Sequence, residues 1–238
     1  MTDPTLTKTP RLPTRVVDLA LRLGADPKCA FDSVEFSQTG SMRISLESGL
    51  WLPFTARQRM SVRSCGFSWS AKFVPLGYLT VTDALEGGVG RLDVTALRLI
   101  PVARSKPGTA LTRGELIRYL AELPLLPDAM LHNHDIAWRE VAPSTIAVTA
   151  GSGDTSCEVT FELGADSNIV SAFCANRAAS TTPPFSPMPW RCTFGEHRRR
   201  SGRWIPSMAQ VCWVVNGKES PYWKGEIRDW MPLGVPSS

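Results

Sequence analysis

The stretch Gly114-Glu115-Leu116-Ile117-Arg118-Tyr119-Leu120-Ala121-Glu122 reads as one strong helix among segments that alternate like strands on both sides. Thr112 and Glu115 stand three apart, the spacing of a capping box that would start it. Leu116, Ile117, Leu120 and Leu123 recur at the 3.6-residue period that lays an apolar stripe along a helix, and Pro124 ends it. The spacing therefore predicts a helix over 112–123. A helix of this kind inside a β chain has to be covered by the sheet.

To either side the period drops to two. Phe54, Ala56, Met60 and Val62 share one face, while Thr55, Arg57, Arg59 and Ser61 share the other. Phe67, Trp69, Ala71 and Phe73 alternate with Ser68, Ser70 and Lys72. This is the pattern of strands with one dry face and one wet face. Further strand-like runs lie near 78–85, 92–96, 135–142, 145–150, 156–163, 168–178, 190–197, 207–216 and 221–230. Turn residues such as Gly87-Gly88, Gly151-Ser152-Gly153 and Asn216-Gly217 separate them, so they read as about ten or eleven strands in antiparallel hairpins.

Residues 14–23 read as a short N-terminal helix stopped by Gly24, residues 1–13 as a disordered leader, and 180–189 as a Pro-rich loop or flap. No linker or internal repeat divides residues 14–232, which are read as a single domain. The fold class that follows is mainly β: an antiparallel half-barrel wrapped around a central helix. The helix plugs the concave side and leaves a crevice of the kind that binds ligands.

Bulk properties exclude several function classes. With 43% hydrophobic and 20% charged residues the 238-residue chain has the composition of an ordinary globule. A net charge of +4 is too mild to imply a nucleic-acid partner. No apolar run approaches the ~18 residues needed to span a membrane. The polar, Pro-rich N-terminus lacks the apolar core of a signal peptide, so the protein is expected in the cytoplasm. The six cysteines form no C-x-x-C pair and read as buried reduced thiols, with no metal site. No phosphate loop, G-x-S-x-G elbow or dinucleotide fingerprint is present, and no cofactor is expected. Eight Trp against three Tyr suggest a core or cavity lined by large rings without a phenol.

From about Phe36 to Trp230 the chain resembles an uncharacterised bacterial family, a domain of unknown function related to the lipoprotein-carrier (LolA/LolB-like) half-barrel fold. The resemblance rests on Gly40-Ser41-Met42-Arg43, on Trp51 with Phe54 and Ala56, on Phe67-x-Trp69-x-Ala71, and on Asp83 before Gly87 and Gly90. It continues through Arg118-Tyr119-Leu120-Ala121-Glu122, Pro127-x-Ala129, Trp138, Arg177, Pro189-Trp190, Ile205-Pro206, Trp213 and Pro221-Tyr222-x-x-Gly225. It implies a half-barrel and an apolar ligand in its concave face, because carriers of that fold hold acyl chains there. It supplies no reaction. The carriers are exported and this sequence shows no export signal, so shuttling between membranes is not expected. Cytosolic proteins of the wider fold that look like cofactor-free enzymes, such as the violacein-pathway rearrangement enzyme, offer an analogy only.

Several residues could carry chemistry. Arg118 and Glu122 stand at i and i+4, with Glu115 one turn earlier, and form either a plain ion pair or part of a site. A Glu122 held in an apolar cavity could act as acid or base, Arg118 or Arg177 could hold an anionic group, and His134 could carry a proton. His132 and His134, in a loop with Asp135, are too few for a metal site. Arg177 ends a strand whose two parities are almost equally apolar. It is either a buried cation needing Glu122 or a ligand carboxylate, or it is plain surface. Gln58 is the polar member of an apolar face. Trp69, Trp138 and Trp213 fall on apolar parities, as core or as walls around a flat guest, with Tyr119 beside them. The basic run His197-Arg198-Arg199-Arg200 with Arg203 reads as a solvated hairpin tip, phosphate binding being the alternative.

The expected function is binding of a hydrophobic or aromatic small molecule in the concave face. The alternative is a cofactor-independent isomerase, cyclase or hydrolase of secondary metabolism that uses the same cavity. A structural protein with a filled core is the third reading. Nothing in the sequence indicates an oligomeric state.

Overall fold

The two halves of the chain meet in the middle of one sheet, and a helix joins its two edges. The computed structural model describes residues 12–43, 49–73, 79–96, 100–105, 108–178 and 186–234. After helix α1 (Thr14–Arg22) come β1 (Phe31–Met42), β2 (Leu52–Ser61), β3 (Phe67–Phe73), β4 (Leu79–Glu86), β5 (Val89–Ala96) and β6 (Ile100–Arg104). Helix α2 (Thr109–Ala121), a 3-10 turn (Leu123–Leu125) and α3 (Pro127–His132) follow. The second half is β7 (Ile136–Ala142), β8 (Thr145–Ala150), β9 (Cys157–Leu163), β10 (Ile169–Ala178), β11 (Pro187–Arg200), β12 (Arg203–Val215) and β13 (Lys218–Gly234).

The sheet order is β6-β5-β4-β3-β2-β1-β13-β12-β11-β10-β9-β8-β7. Every neighbouring pair is antiparallel. The first half steps outward from β1 to one edge, and the second half returns from the other edge to β13. Helix α2 packs against β4 and β5 on one side and against β8, β9 and β10 on the other. Nine strand-to-strand steps separate β5 from β9, roughly 43 Å in a flat sheet at about 4.8 Å per step. A helix of 13 residues is only about 20 Å long. The sheet must therefore curl around it. Burial agrees, because Leu111, Glu115, Leu116, Ile117, Tyr119, Leu120 and Ala121 are all buried and point to several sides of the helix.

The expected strands of period two are present. In β2 and β3 the alternation is strict, with Phe54, Ala56, Gln58 and Met60 inward and Phe67, Trp69, Ala71 and Phe73 beside them. The described sheet has thirteen strands where ten or eleven were expected. The two unforeseen ones are β1 and β6. In β1, register shifts between Phe31 and Ser33 and between Phe36 and Gln38 break the alternation that sequence reading relies on. Helix α1 ends as expected before Gly24, whose φ of +89° suits glycine.

Other expectations need correction. Helix α2 begins at Thr109 with Gly108 as its N-cap, so Thr112 does not open a capping box. Its hydroxyl instead accepts the Gly90 backbone N–H at 3.0 Å, tying the helix to β5. Pro187 and Pro189, read as loop, lie in β11, where Pro187 pairs with Ala178. The basic run is also strand: β11 extends to Arg200, and only Ser201-Gly202 turn. Arg203 is not free. It grips the fully buried Asp128 of α3 with two hydrogen bonds of 2.8 and 3.0 Å. His132 belongs to α3 and not to a loop. The expected leader spans 1–13, of which 1–11 lie outside the described residues, as do residues 180–185 of the expected flap.

The tight seat of α2 on β5 gives a direct test. A Cβ on Gly90 would stand 2.8 Å from the Thr112 Cα, which is backbone and cannot swing aside. Gly90→Ala is expected to destabilise the protein by about 1–3 kcal/mol in urea unfolding. Gly195→Ala, where a Cβ meets nothing within 4 Å, should stay within about 0.5 kcal/mol. Equal effects at the two positions would argue against the helix lying on the strand.

Candidate functional site

Cross-strand register lines up one row of side chains beneath α2. Phe36 of β1 pairs with Gln58 of β2, Gln58 with Trp69 of β3, Trp69 with Asp83 of β4, and Asp83 with Leu92 of β5. The helix lowers Arg118 onto this row, and Glu122 follows at its C-terminal end. Arg118 binds Asp83 through Nη1, Glu122 through Nε at 3.1 Å, and the Gln58 carbonyl oxygen through Nη2 at 3.3 Å. Gln58 donates its amide to the other Glu122 oxygen. Behind it, Gln38 donates to Gln58 at 3.5 Å and accepts the Trp69 indole N–H at 2.7 Å. The guanidinium also lies 4.7 Å from the Phe67 ring centre and 5.0 Å from that of Trp69. Burial opposes the Arg118 charge, but Glu122 and Asp83 outweigh it and hold the guanidinium protonated more firmly than usual.

Glu115 completes this charged floor. Burial pushes its pKa well above the usual carboxylate range, and the Asp83 charge pushes it further. Arg177 and Arg118 pull the other way and are outweighed. Two buried oxygens in this region, Asp83 Oδ1 and Glu115 Oε2, have no hydrogen-bond donor among the described residues. A protonated Glu115 answers both facts, because it removes a buried charge and can donate its O–H to the adjacent Asp83 carboxylate.

Next to this floor is a cavity of about 230 Å³. Its apolar walls are Met42, Val81, Leu92 and Val211, and its aromatic walls are Trp69, Trp190, Tyr222 and Trp223. Asp83, Arg118, Glu122 and Arg177 are its charged members. Arg177 reaches it through a bulge in β10, where pairing with β11 shifts between Cys174 and Arg177. Its guanidinium lies 4.6 Å from the Trp190 ring centre. The Trp190 indole donates to the Tyr222 hydroxyl at 3.0 Å, and Tyr222 stacks on Trp213 with ring centres 5.8 Å apart.

The structure thus gathers Glu122, Arg118, Arg177 and Trp69 around one space. Gln58 is fully buried just behind it as a bridge between Arg118 and Glu122. Trp213 stands one ring back, behind Tyr222. Three expected site residues are elsewhere. Tyr119 is fully buried, donates to the Ser61 carbonyl at 2.8 Å and accepts from Asn133 at 2.7 Å, so it has no face toward the cavity. Trp138 packs on Phe161 in the second half of the sheet. His134 is exposed, with its backbone N–H bonded to Arg63. Among the described residues no three His, Cys, Asp or Glu side chains converge to hold a metal ion.

Asp83, Trp190, Tyr222 and Trp223 were not picked out as site residues. Asp83 did leave a signal, an acid on the same strand parity as Val81 and Leu85. The other three meet only through the pairing of β11, β12 and β13.

The sequence matches the model of a family of unknown function, DUF6920, over residues 11–230. No curated protein matches it. Several solved structures share the fold, two of them over nearly the whole chain. One is a domain assigned to outer membrane lipoprotein sorting from Vibrio parahaemolyticus, with a TM-score of 0.50, 8% identity, and coverage of 92% of this chain and 91% of that one. The other is a LolA superfamily protein from Nitrosomonas europaea, with a TM-score of 0.51, 8% identity, and coverage of 95% and 96%. At that identity the likeness shows a LolA-like fold and nothing of the ligand.

The protonated Glu115 predicts a pH dependence. Its folded pKa lies above the ordinary value of 4.5, so its contribution to stability is whole below about pH 4.5 and is lost as pH rises toward the folded pKa. Glu115→Gln keeps a neutral donor beside Asp83 and does not titrate. Relative to wild type, the variant should gain up to about 1.4 kcal/mol per pH unit above pH 4.5. Urea unfolding of both proteins from pH 4.5 to 7.5 measures this, and a constant difference would mean that Glu115 is ionised in the fold.

Proposed function

The chain belongs to the DUF6920 family, and from its LolA-like sheet and the space beneath α2 we propose that it binds a hydrophobic or aromatic small molecule in the concave face. The observation that carries this reading is the composition of the cavity: eight of its twelve lining residues are aliphatic or aromatic, and three of its four charged groups, Asp83, Arg118 and Glu122, are held in one ion-paired cluster. Pockets of this make-up bind by excluding water from apolar surface and orient the guest with a few polar groups. The fold relatives support it by analogy, since one is assigned to lipoprotein sorting.

An enzyme using the same cavity is supported less well. Both Glu122 oxygens are already engaged, one by Arg118 and one by Gln58. His134 lies outside the site. The six free thiols, five of them buried, are compatible with a reducing compartment and support a cytoplasmic location.

Neutral probes test the cavity alone. Calorimetric titration of the protein with 1-octanol, indole and naphthalene should give a saturable heat, with Kd on the order of 0.1 mM for a guest of about ten heavy atoms. Val81→Phe and Val211→Phe fill the space and should weaken binding at least tenfold without loss of the folded baseline. No saturable change with any of the three probes would refute the proposal.

A further inference from the structure

The polar groups lining the cavity are unequally satisfied. The carboxylates that line it are engaged: Glu122 by Arg118 and Gln58, Asp83 by Arg118. The two carboxylate oxygens without a donor among the described residues, Asp83 Oδ1 and Glu115 Oε2, are buried away from solvent. Arg118 is likewise taken up by three acceptors. Arg177 is different. Its only described contact is the face of Trp190, and among the described residues no acceptor meets any of its five N–H groups. Glu115 is close enough to feel its charge but makes no ion pair with it.

Tyr222 has the same polarity of need. Its oxygen accepts the Trp190 N–H, which leaves its own O–H free to donate, and no described group accepts it. Trp190 therefore organises both donors: it supports the Arg177 guanidinium on its face and orients the Tyr222 hydroxyl through its indole nitrogen. Both donors open onto the same 230 Å³ space as Met42, Val81, Leu92 and Val211.

Resting on the binding function proposed above, we infer that the guest is an apolar monocarboxylic acid, its carboxylate held by Arg177 and Tyr222 and its tail lying against Val81, Leu92 and Val211. A carboxylate matches the guanidinium fork and supplies the acceptors that both donors lack. A cationic guest would face Arg177 and find no free carboxylate. The size of the cavity narrows the class further. At about 230 Å³ it lies below the usual 300–1,000 Å³ of drug-sized sites, so it takes one short chain or ring and not a lipid with several chains.

The test compares acids with their uncharged esters. Octanoate and 4-phenylbutyrate, and the methyl ester of each, are titrated into the full chain at pH 7 by calorimetry. Each acid should bind about 10- to 100-fold more tightly than its ester, the range expected of charge-assisted hydrogen bonds. Arg177→Met should bring the acid-to-ester ratio close to one, Arg177→Lys should keep part of the preference, and Tyr222→Phe should cost the acids severalfold. The tighter of the two acids tells whether the tail is a straight chain or a ring. Equal binding of acid and ester to the wild type would overturn the carboxylate assignment and leave the apolar cavity standing. Failure of all four compounds to bind would bring down both readings. Thermal unfolding checks each variant, and if Arg177→Met does not fold, the acid-to-ester ratio of the wild type decides alone.

Discussion

Helix α2 has to carry the chain from one edge of the sheet to the other, and its length is less than half of the flat distance between the strands it touches. The rest of the architecture follows from that mismatch. The sheet curls so that β4 and β5 meet the helix from one side while β8, β9 and β10 meet it from the other. Curling turns one face of the sheet into a wall around the helix. Side chains of β1, of β3 to β5 and of β10 to β13 then surround a space that the helix does not fill. Gly90 lets β5 come against the helix backbone, and the Thr112 hydroxyl closes that contact with a hydrogen bond.

The charged floor of the cavity is a second consequence. A helix enclosed on several sides cannot keep all of its polar residues in solvent, so Glu115, Arg118 and Glu122 are carried inward with Leu116, Ile117 and Leu120. Charges removed from water are tolerated when each has partners. Arg118 receives Asp83, Glu122 and Gln58, and Glu115 gives up its charge beside Asp83. The result is a polar side that is largely self-satisfied, with Arg177 on its Trp190 shelf as the charged lining group that meets no acceptor among the described residues.

Much of the fold was legible because its signals are local. The alternation in β2, β3 and β9 and the Asn216-Gly217 and Gly87-Gly88 turns each depend on a few adjacent residues. The misses have physical reasons of the same grain. The register shifts of β1 hid its alternation. Pro187 and Pro189 looked like loop residues although β11 starts with them. Thr112 and Glu115 have capping-box spacing, yet packing extends the helix three residues upstream of Thr112 and uses both side chains for tertiary contacts. Arg177 could not be assigned a face from parity because the bulge after Cys174 resets parity at that point.

By itself the sequence determined the alternation of wet and dry strand faces, the presence of a buried helix between two strand-rich halves, and the Arg118–Glu122 pair. Each of these is set by spacings of two to four residues, which backbone geometry converts directly into direction. Only the tertiary structure decided that β1 pairs with β13, that Asp83 meets Arg118 across 35 positions of chain, and that Trp190, Tyr222 and Arg177 share one space. Those contacts depend on how far the sheet curls around α2, and that curvature is a property of the whole sheet that no short window of residues contains.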